Sequence, residues 1–336
     1  MVARRARHLT CGLAFLGLMG GMSELARSQS GTGAQPGASS YPVKVIRIID
    51  AFPPGGGSDV VARLIAPKLT QAWGQQVIIE NRGGANGTIG NEHALRSAPD
   101  GHTVLIATGS YAANPSLRKL PYDPINDISV IGQVASTVFM VVTHPSVPAR
   151  NIKELVALAR AKPGAINFGS TGTGGSTHLV MEFFKLTAGV DLTHIPYKGT
   201  GPAVSDLIGG QIQIMIAATA PVMPHVKSGR LRALAVSGPK RIAGAPDLPT
   251  VIEAGVPGYD VTSWYAFVGP KNLPKEIVAT WNAELARITQ MQDIKDRFAS
   301  GGMEAVSGTP EEFAAILERD VNRWARVVKQ AGIKLD

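Results

Sequence analysis

The chain has 336 residues, and its Lys and Arg outnumber its Asp and Glu 33 to 25, a formal charge of +8. It holds one cysteine, Cys11, which excludes an intramolecular disulfide and any cysteine-built metal or redox motif. The basic residues are scattered rather than clustered, which argues against a nucleic-acid surface and suits an acidic small molecule.

The first residues read as an export signal. Arg4, Arg5 and Arg7 precede a mostly apolar run from Leu9 to Met22, too short for a convincing membrane span. Ala26-Arg27-Ser28 offers small residues for cleavage, so residues 1–28 are expected to be removed, taking Cys11 with them. Cys11 lies inside the apolar run rather than at its end, which argues against a lipid anchor. In residues 1–28 the arginines Arg4, Arg5, Arg7 and Arg27 outnumber Glu24 by three, so the mature charge falls from +8 to +5. Residues 29–40 are small and polar and read as a disordered leader.

Val43 to Ile49 is β-branched and apolar and reads as a strand. Val60 to Ala66 reads as a helix with one apolar face. Between them runs Phe52-Pro53-Pro54-Gly55-Gly56-Gly57-Ser58-Asp59. The prolines stop the strand. The glycines permit positive φ and close approach of a ligand to the backbone, and Ser58 or Asp59 is the expected N-cap. A helix start of this kind can hold an anion on its free amides. The same stretch is also compatible with a plain glycine-rich loop.

Further along, Gln76 to Glu80 reads as a strand, Gly83 to Gly87 as a turn, Thr88 to Ser97 as a helix and Thr103 to Thr108 as a strand. Such alternation predicts an α/β fold with mostly parallel sheets flanked by helices. Ligands then bind beyond the carboxyl ends of the strands, where Ser110 also lies. Ile128 to Thr143 is a nearly unbroken apolar run, long enough to carry the chain between two lobes. After it, helices at Ile152–Ala161, His178–Leu186 and Pro202–Ile208 alternate with strands at Ile166–Phe168, Leu192–Tyr197, Ile212–Ala217 and Leu231–Val236. The expected division is lobe I at 41–139 and 236–336, with lobe II inserted at 140–235. Arg319, Val321, Trp324, Val327 and Val328 mark a last amphipathic helix, expected to pack on lobe I.

Lobe II repeats the motif of lobe I. The strand at Ile166–Phe168 leads into Gly169-Ser170-Thr171-Gly172-Thr173-Gly174-Gly175-Ser176-Thr177, and a helix follows from His178. Two anion-ready helix starts suggest two lobes facing one ligand. The hydroxyls of Ser170, Thr171, Thr173, Ser176 and Thr177 suit either helix capping or a carboxylate. Gly174-Gly175-Ser176-Thr177-His178 also allows a serine hydrolase with Ser176 and His178, although the glycine a nucleophile elbow needs two residues after the serine is replaced by His178. The seven histidines show no paired helical spacing with a carboxylate, so no metal is expected. No phosphate-loop or dinucleotide fingerprint is complete, so no cofactor is expected.

The spaced landmarks Phe52-Pro53-Pro54-Gly55-Gly56, Asp59 with Ala62-Arg63, Val77 to Arg82, Gly84-Ala85-Asn86-Gly87 and Asp100-Gly101 are joined by others in lobe II. These are Ser170-Thr171-Gly172, Gly174-Gly175-Ser176, His178-Leu179, Ile195 to Gly199 and Asp206 to Gly210. Arg232 to Val236, Pro249-Thr250, Glu253 to Gly255 and Trp264 complete the series. Together, from about Tyr41 to Lys334, they resemble the Bug family, the periplasmic receptors of tripartite tricarboxylate transporters. The resemblance implies a type II periplasmic binding protein with a ligand cleft between its lobes. It implies a small carboxylate held by main-chain amides, hydroxyls and bridging waters, and delivery to membrane transporter subunits or a sensor. The family's binding loops map onto Phe52, Gly55, Gly56, Gly57, Ser58, Asp59 and Ser110 in lobe I. In lobe II they map onto Ser170, Thr171, Gly172, Thr173, Gly174, Gly175, Ser176, His178 and Tyr197. It further implies a monomer in the periplasm with no catalytic residue. Ala217 to Ala220 offers no acidic side chain, which favours a plain carboxylic acid over an amino acid.

Overall fold

The computed structural model describes residues 41–334. The signal-peptide and leader expectations, residues 1–40, lie outside the described residues. The first lobe begins with β1 (Ile46–Asp50), α1 (Gly57–Trp73), β2 (Val77–Asn81), a 3-10 turn (Ala85–Gly87), α2 (Thr88–Leu95), β3 (Thr103–Thr108) and α3 (Gly109–Leu117). Then come β4 (Ile128–Thr143), α4 (Ile152–Ala161), β5 (Asn167–Ser170), α5 (Ser176–Ala188), β6 (Thr193–Pro196), α6 (Thr200–Ile208), β7 (Ile214–Ala218), α7 (Thr219–Lys227) and β8 (Arg232–Val236). The chain ends with β9 (Thr262–Pro270), α8 (Lys275–Thr289), α9 (Gln292–Ser300), β10 (Met303–Ala305) and α10 (Pro310–Ala331).

The strand order is β2-β1-β3-β9-β4-β7-β5-β6, with β8 and β10 also paired to β4. The sheet is mixed. β1 runs parallel to β2 and β3, and β5 runs parallel to β6 and β7. Helices α1, α2, α5 and α6 make the crossovers that parallel neighbours require. The centre is antiparallel, because β4 and β9 run back against the strands beside them.

β4 is one strand of 16 residues shared by both lobes. Its Ile128–Val138 part pairs with β9, and its Phe139–Thr143 part pairs with β7 and β8. The switch of partners falls between Val138 and Phe139, close to the expected first crossing. The second crossing differs from expectation. Residues 237–261, read from the sequence as lobe I, pack on lobe II. Val251 donates its amide to Val236, Tyr259 donates its hydroxyl to the Val180 carbonyl at 3.1 Å, and Ile242 and Leu248 join the outer core of lobe II. The chain returns to lobe I at Val261–Thr262. The sequence places a strand at Leu231–Val236 but gives no sign that the irregular stretch after it keeps contact with α4 and α5.

Three cores result. Ile46, Val61, Ile65, Trp281 and Phe298 bury the face of lobe I that carries α1, α8 and α9. Met140, Leu207, Met215 and Leu231 bury the outer face of lobe II. The third core runs through both lobes and includes Ile49, Tyr111, Phe168, Phe184, Trp264 and Trp324. Helix α10 supplies much of it. The sequence placed α10 on lobe I, but it packs on α5 as well as α3. Its 22 residues span about 33 Å, enough to reach both lobes. Trp324 meets Phe183 of α5 edge-on at 6.5 Å, and the Arg323 guanidinium lies over the same ring at 5.6 Å.

Candidate functional site

The turn from β1 into α1 is held from behind by a polar network. Asp50 is fully buried, and its Oδ1 accepts the Phe52 amide at 3.1 Å and the Ser58 hydroxyl at 2.9 Å. Asp59 Oδ2 accepts the Gly55 amide at 3.0 Å and Arg63 Nε at 2.8 Å. Asn81 Nδ2 closes the network, donating to the Phe52 carbonyl at 3.0 Å and to Asp59 Oδ1 at 3.1 Å. Gly55, at φ +85°, takes the left-handed backbone that a side chain resists. Gly56 is the N-cap of α1. Ser58 and Asp59, expected to cap the helix, lie in its first turn with buried side chains. Asp50 and Asn81 take them inward, partners the local sequence does not reveal. The outward face of the turn is therefore backbone: the first amides of α1, which have no partner within the helix. Phe52 is half-buried, with its ring against Gly87.

Two groups from β9 complete this side. A Cβ on Gly57 would overlap the Tyr265 hydroxyl, and one on Gly109 would lie 2.8 Å from Ser263 Oγ. Ser263 and Tyr265 are two apart on one strand and share a face. Sequence reasoning missed both, because neither lies in a glycine turn. Ser110 lies in the first turn of α3, a helix the sequence did not reveal, and its hydroxyl lies 2.9 Å from that of Thr108.

The turn from β5 into α5 repeats the arrangement with different side chains. Gly175 is the N-cap, and Gly174 sits at φ +72°. Thr177 Oγ1 accepts the Thr171 amide at 2.8 Å. Ser170 Oγ accepts the Gly172 amide at 3.2 Å and lies 2.6 Å from His194 Nε2. His178, 5% exposed, was expected to face the ligand. It accepts the Gly174 amide on Nδ1 at 3.0 Å, and its ring stacks on His194 at 3.7 Å. Its Nε2 faces Glu182 at 3.7 Å, and Lys185 pairs with the same carboxylate at 3.0 Å. Burial pushes His194 down to about 4, reinforced by the neighbouring His178, so this imidazole is neutral. Tyr197 donates its amide to the Ser170 carbonyl and its hydroxyl to Asp206 Oδ2 at 2.7 Å. Burial and that hydrogen bond raise the Tyr197 phenol to about 12. Thr173 and Ser176 lie at the exposed rim and the first turn of α5.

A hydrolase would need His178 to take the Ser176 proton. Among the described residues His178 bonds Gly174, not Ser176, and its other nitrogen faces an acid.

A cavity of about 20 Å³ joins the lobes, lined by Ser110, Ser176, Ser263, Asp320 and Trp324; it has room for about one water. Asp320 is spent on the Trp264 indole at 2.9 Å and on Arg319 at 3.3 Å. Gly57 thus meets Tyr265, Gly109 meets Ser263, and Ser110, Ser176 and Ser263 line one cavity. A larger cavity of about 510 Å³ lies in lobe II among Met140, Met223, Leu231 and Leu248. It contains no residue of either turn, whereas Ser176 at the start of α5 lines the smaller one.

Comparison with known proteins identifies the family and the fold. The chain is 35% identical over 309 residues to Protein BugT of Bordetella pertussis, covering 91% of this chain and 95% of that one. It is similar to the solved structure of R. palustris Rpa4515 with adipate, at 32% identity and a TM-score of 0.76, covering 88% of this chain and 99% of that one. It is also similar to MatC (Rpa3494) from Rhodopseudomonas palustris with bound malate, at 28% identity and a TM-score of 0.73, covering 86% and 100%. These neighbours share the two-lobed type II periplasmic binding fold. Residues 61–333 match the model of the tripartite tricarboxylate transporter family receptor, and the chain belongs to that family.

Proposed function

We propose that the chain is an exported receptor that binds a small carboxylic acid between its lobes, unchanged, and passes it to membrane transporter subunits or a sensor. The observation that carries this reading is the pair of helix starts, each opened by glycine and held from behind by buried side chains. The adipate and malate bound by the two solved relatives support the ligand class. In this reading residues 1–28 are cleaved on export. The mature chain acts as a periplasmic monomer, and it contacts its ligand through backbone and hydroxyls, with bridging waters. Amides for the ligand come from Gly56–Ser58 and from Thr173 and Ser176, since those of Gly55, Thr171, Gly172, Gly174 and Gly175 are held within the turns, with hydroxyls from Ser110, Ser176, Ser263 and Tyr265.

A helix N-terminus contributes about 0.3–1 kcal/mol to an exposed carboxylate and up to about 2 when partly buried. Charge-assisted hydrogen bonds add about 1.5–3 kcal/mol each. A few of these offset the ordering costs and reach roughly micromolar affinity, about −8 kcal/mol. No reactive side chain is required.

Gly56→Val tests the reading. Gly56 has φ −74°, which valine tolerates, and the new Cβ would sit at ordinary contact distance from the Pro53 carbonyl, 3.6 Å. The fold should survive, with about 1 kcal/mol lost at the N-cap, while the side chain blocks the amides. Calorimetry with di- and tricarboxylates should show at least about a tenfold loss, near 1.4 kcal/mol. Ser176→Ala should cost about 0.5–1.5 kcal/mol, or up to about 3 against a charged oxygen. Wild-type affinity in folded Gly56→Val, or an esterase activity abolished by Ser176→Ala, would sink the receptor reading.

A further inference from the structure

We infer that carboxylate binding at the lobe I turn is linked to uptake of a proton by Asp50. The inference rests on the proposed receptor function and deepens it, by assigning a residue that sets which charge state binds.

The two turns differ in charge. The first turn of α5 holds no acid, whereas that of α1 holds Asp59, and Asp50 lies directly beneath it. From α1 come Ser58, Asp59 and Arg63, and Arg63 is committed to Asp59. From β2 comes neutral Asn81, while Glu80 pairs with Arg82 and Arg47. The β3 residue in register is Ile106, and β9 contributes the phenol of Tyr265. Asp59 and Arg63 cancel. Among the described residues Asp50 pairs with no cation, so its ionised form leaves one uncompensated negative charge under the amides offered to the ligand.

Geometry makes that charge consequential. Asp50 is fully buried, and its Oδ1 holds both the Phe52 amide and the Ser58 hydroxyl. Whatever charge it carries therefore acts on the turn itself. A second anion arriving at the turn meets like charge, and protonating Asp50 removes it. Burial already raises the carboxyl to about 6, so the proton is within reach in mildly acidic surroundings. The turn of lobe II, backed by the stacked His178 and His194 and the Glu182–Lys185 pair, carries no such penalty.

The test uses calorimetry with succinate, malate and adipate on the wild type, Asp50→Asn and Ser58→Ala. For the tightest acid, wild-type Kd should rise toward about tenfold per pH unit above pH ~6. Asp50→Asn should hold Kd within about twofold across the same range. Repeating the titration in two buffers of different ionisation heat should show proton uptake in the wild type and none in Asp50→Asn. Ser58→Ala removes a hydrogen bond that favours the ionised carboxylate, so its midpoint should move to higher pH. That variant keeps the question open to refutation if Asp50→Asn does not fold. Superposable pH profiles for wild type and Asp50→Asn, or an unmoved midpoint in Ser58→Ala, would overturn the inference and leave the receptor standing. If no acid in the set binds the wild type at any pH, the receptor reading fails and the inference falls with it.

Discussion

Asp50 and His194 sit behind the two turns and are both displaced from their ordinary ranges by burial. Burial raises Asp50 to about 6 and lowers His194 to about 4. The signs of their contributions are opposite. An acid raised in the folded state binds more protons folded than unfolded, so its contribution falls as pH rises through the ~4–6 window. A histidine lowered in the folded state binds fewer protons folded, so its contribution falls as pH drops from ~6.5 toward ~4. In the wild type the two offset each other. Relative to it, Asp50→Asn should tilt the profile of Tm against pH so that stability climbs with pH, and His194→Gln should tilt it the other way. Thermal melts at closely spaced pH values check this. Two parallel, untilted profiles would mean that neither group is perturbed.

At the scale of elements, local capping separates stability from binding. Helix α10 starts with a capping box: Thr309 Oγ1 accepts the Glu312 amide at 3.2 Å, and Glu312 Oε2 accepts the Thr309 amide at 2.8 Å. Thr309→Ala should cost about 0.5–2 kcal/mol of stability and leave ligand affinity unchanged, since the cap lies in neither turn. Denaturant unfolding beside calorimetry tests both halves. The same elements show what the sequence makes legible. Both strand–turn–helix units could be read, because β-branched runs, glycine turns and apolar periodicity are local signals. The N-cap of α1 could not, because Asp50 and Asn81 draw Ser58 and Asp59 inward from other strands. The partner of His178 was hidden for the same reason: the Gly174 amide reaches it only because of how the turn folds back. Helix α3 escaped notice because Gly109 opens it and Pro115 lies inside it. Ser263 and Tyr265 join the site only through β9, which pairs with β3 from more than a hundred and fifty residues away.

At the scale of the whole molecule, β4, the return at Val261–Thr262 and α10 span the lobes. Ser237 ties the two crossings, donating Oγ to the Val261 carbonyl at 2.6 Å and accepting the Phe139 amide at 2.9 Å. A receptor of this build closes on its ligand to the extent that the closed form binds it better. Helix α10 restrains that motion, because Trp324 packs against Phe183 of lobe II while Phe313, three turns earlier, packs against Trp264 of lobe I. Trp324→Ala removes the lobe II contact and enlarges the cavity beside Ser176. It should destabilise the fold by about 3–5 kcal/mol, the usual range for a large buried aromatic ring. The same change should loosen the ligand-free molecule. Small-angle scattering should therefore show a smaller radius of gyration when a carboxylate saturates the wild type, and a larger ligand-free radius in Trp324→Ala. Saturating ligand should then narrow the gap between the two proteins, because the ligand supplies contacts between the lobes that the helix no longer does. A radius unchanged by ligand in the wild type would remove the case for closure. A ligand-free radius unchanged in a folded Trp324→Ala would show that β4 and the Ser237 ties hold the lobes without the helix.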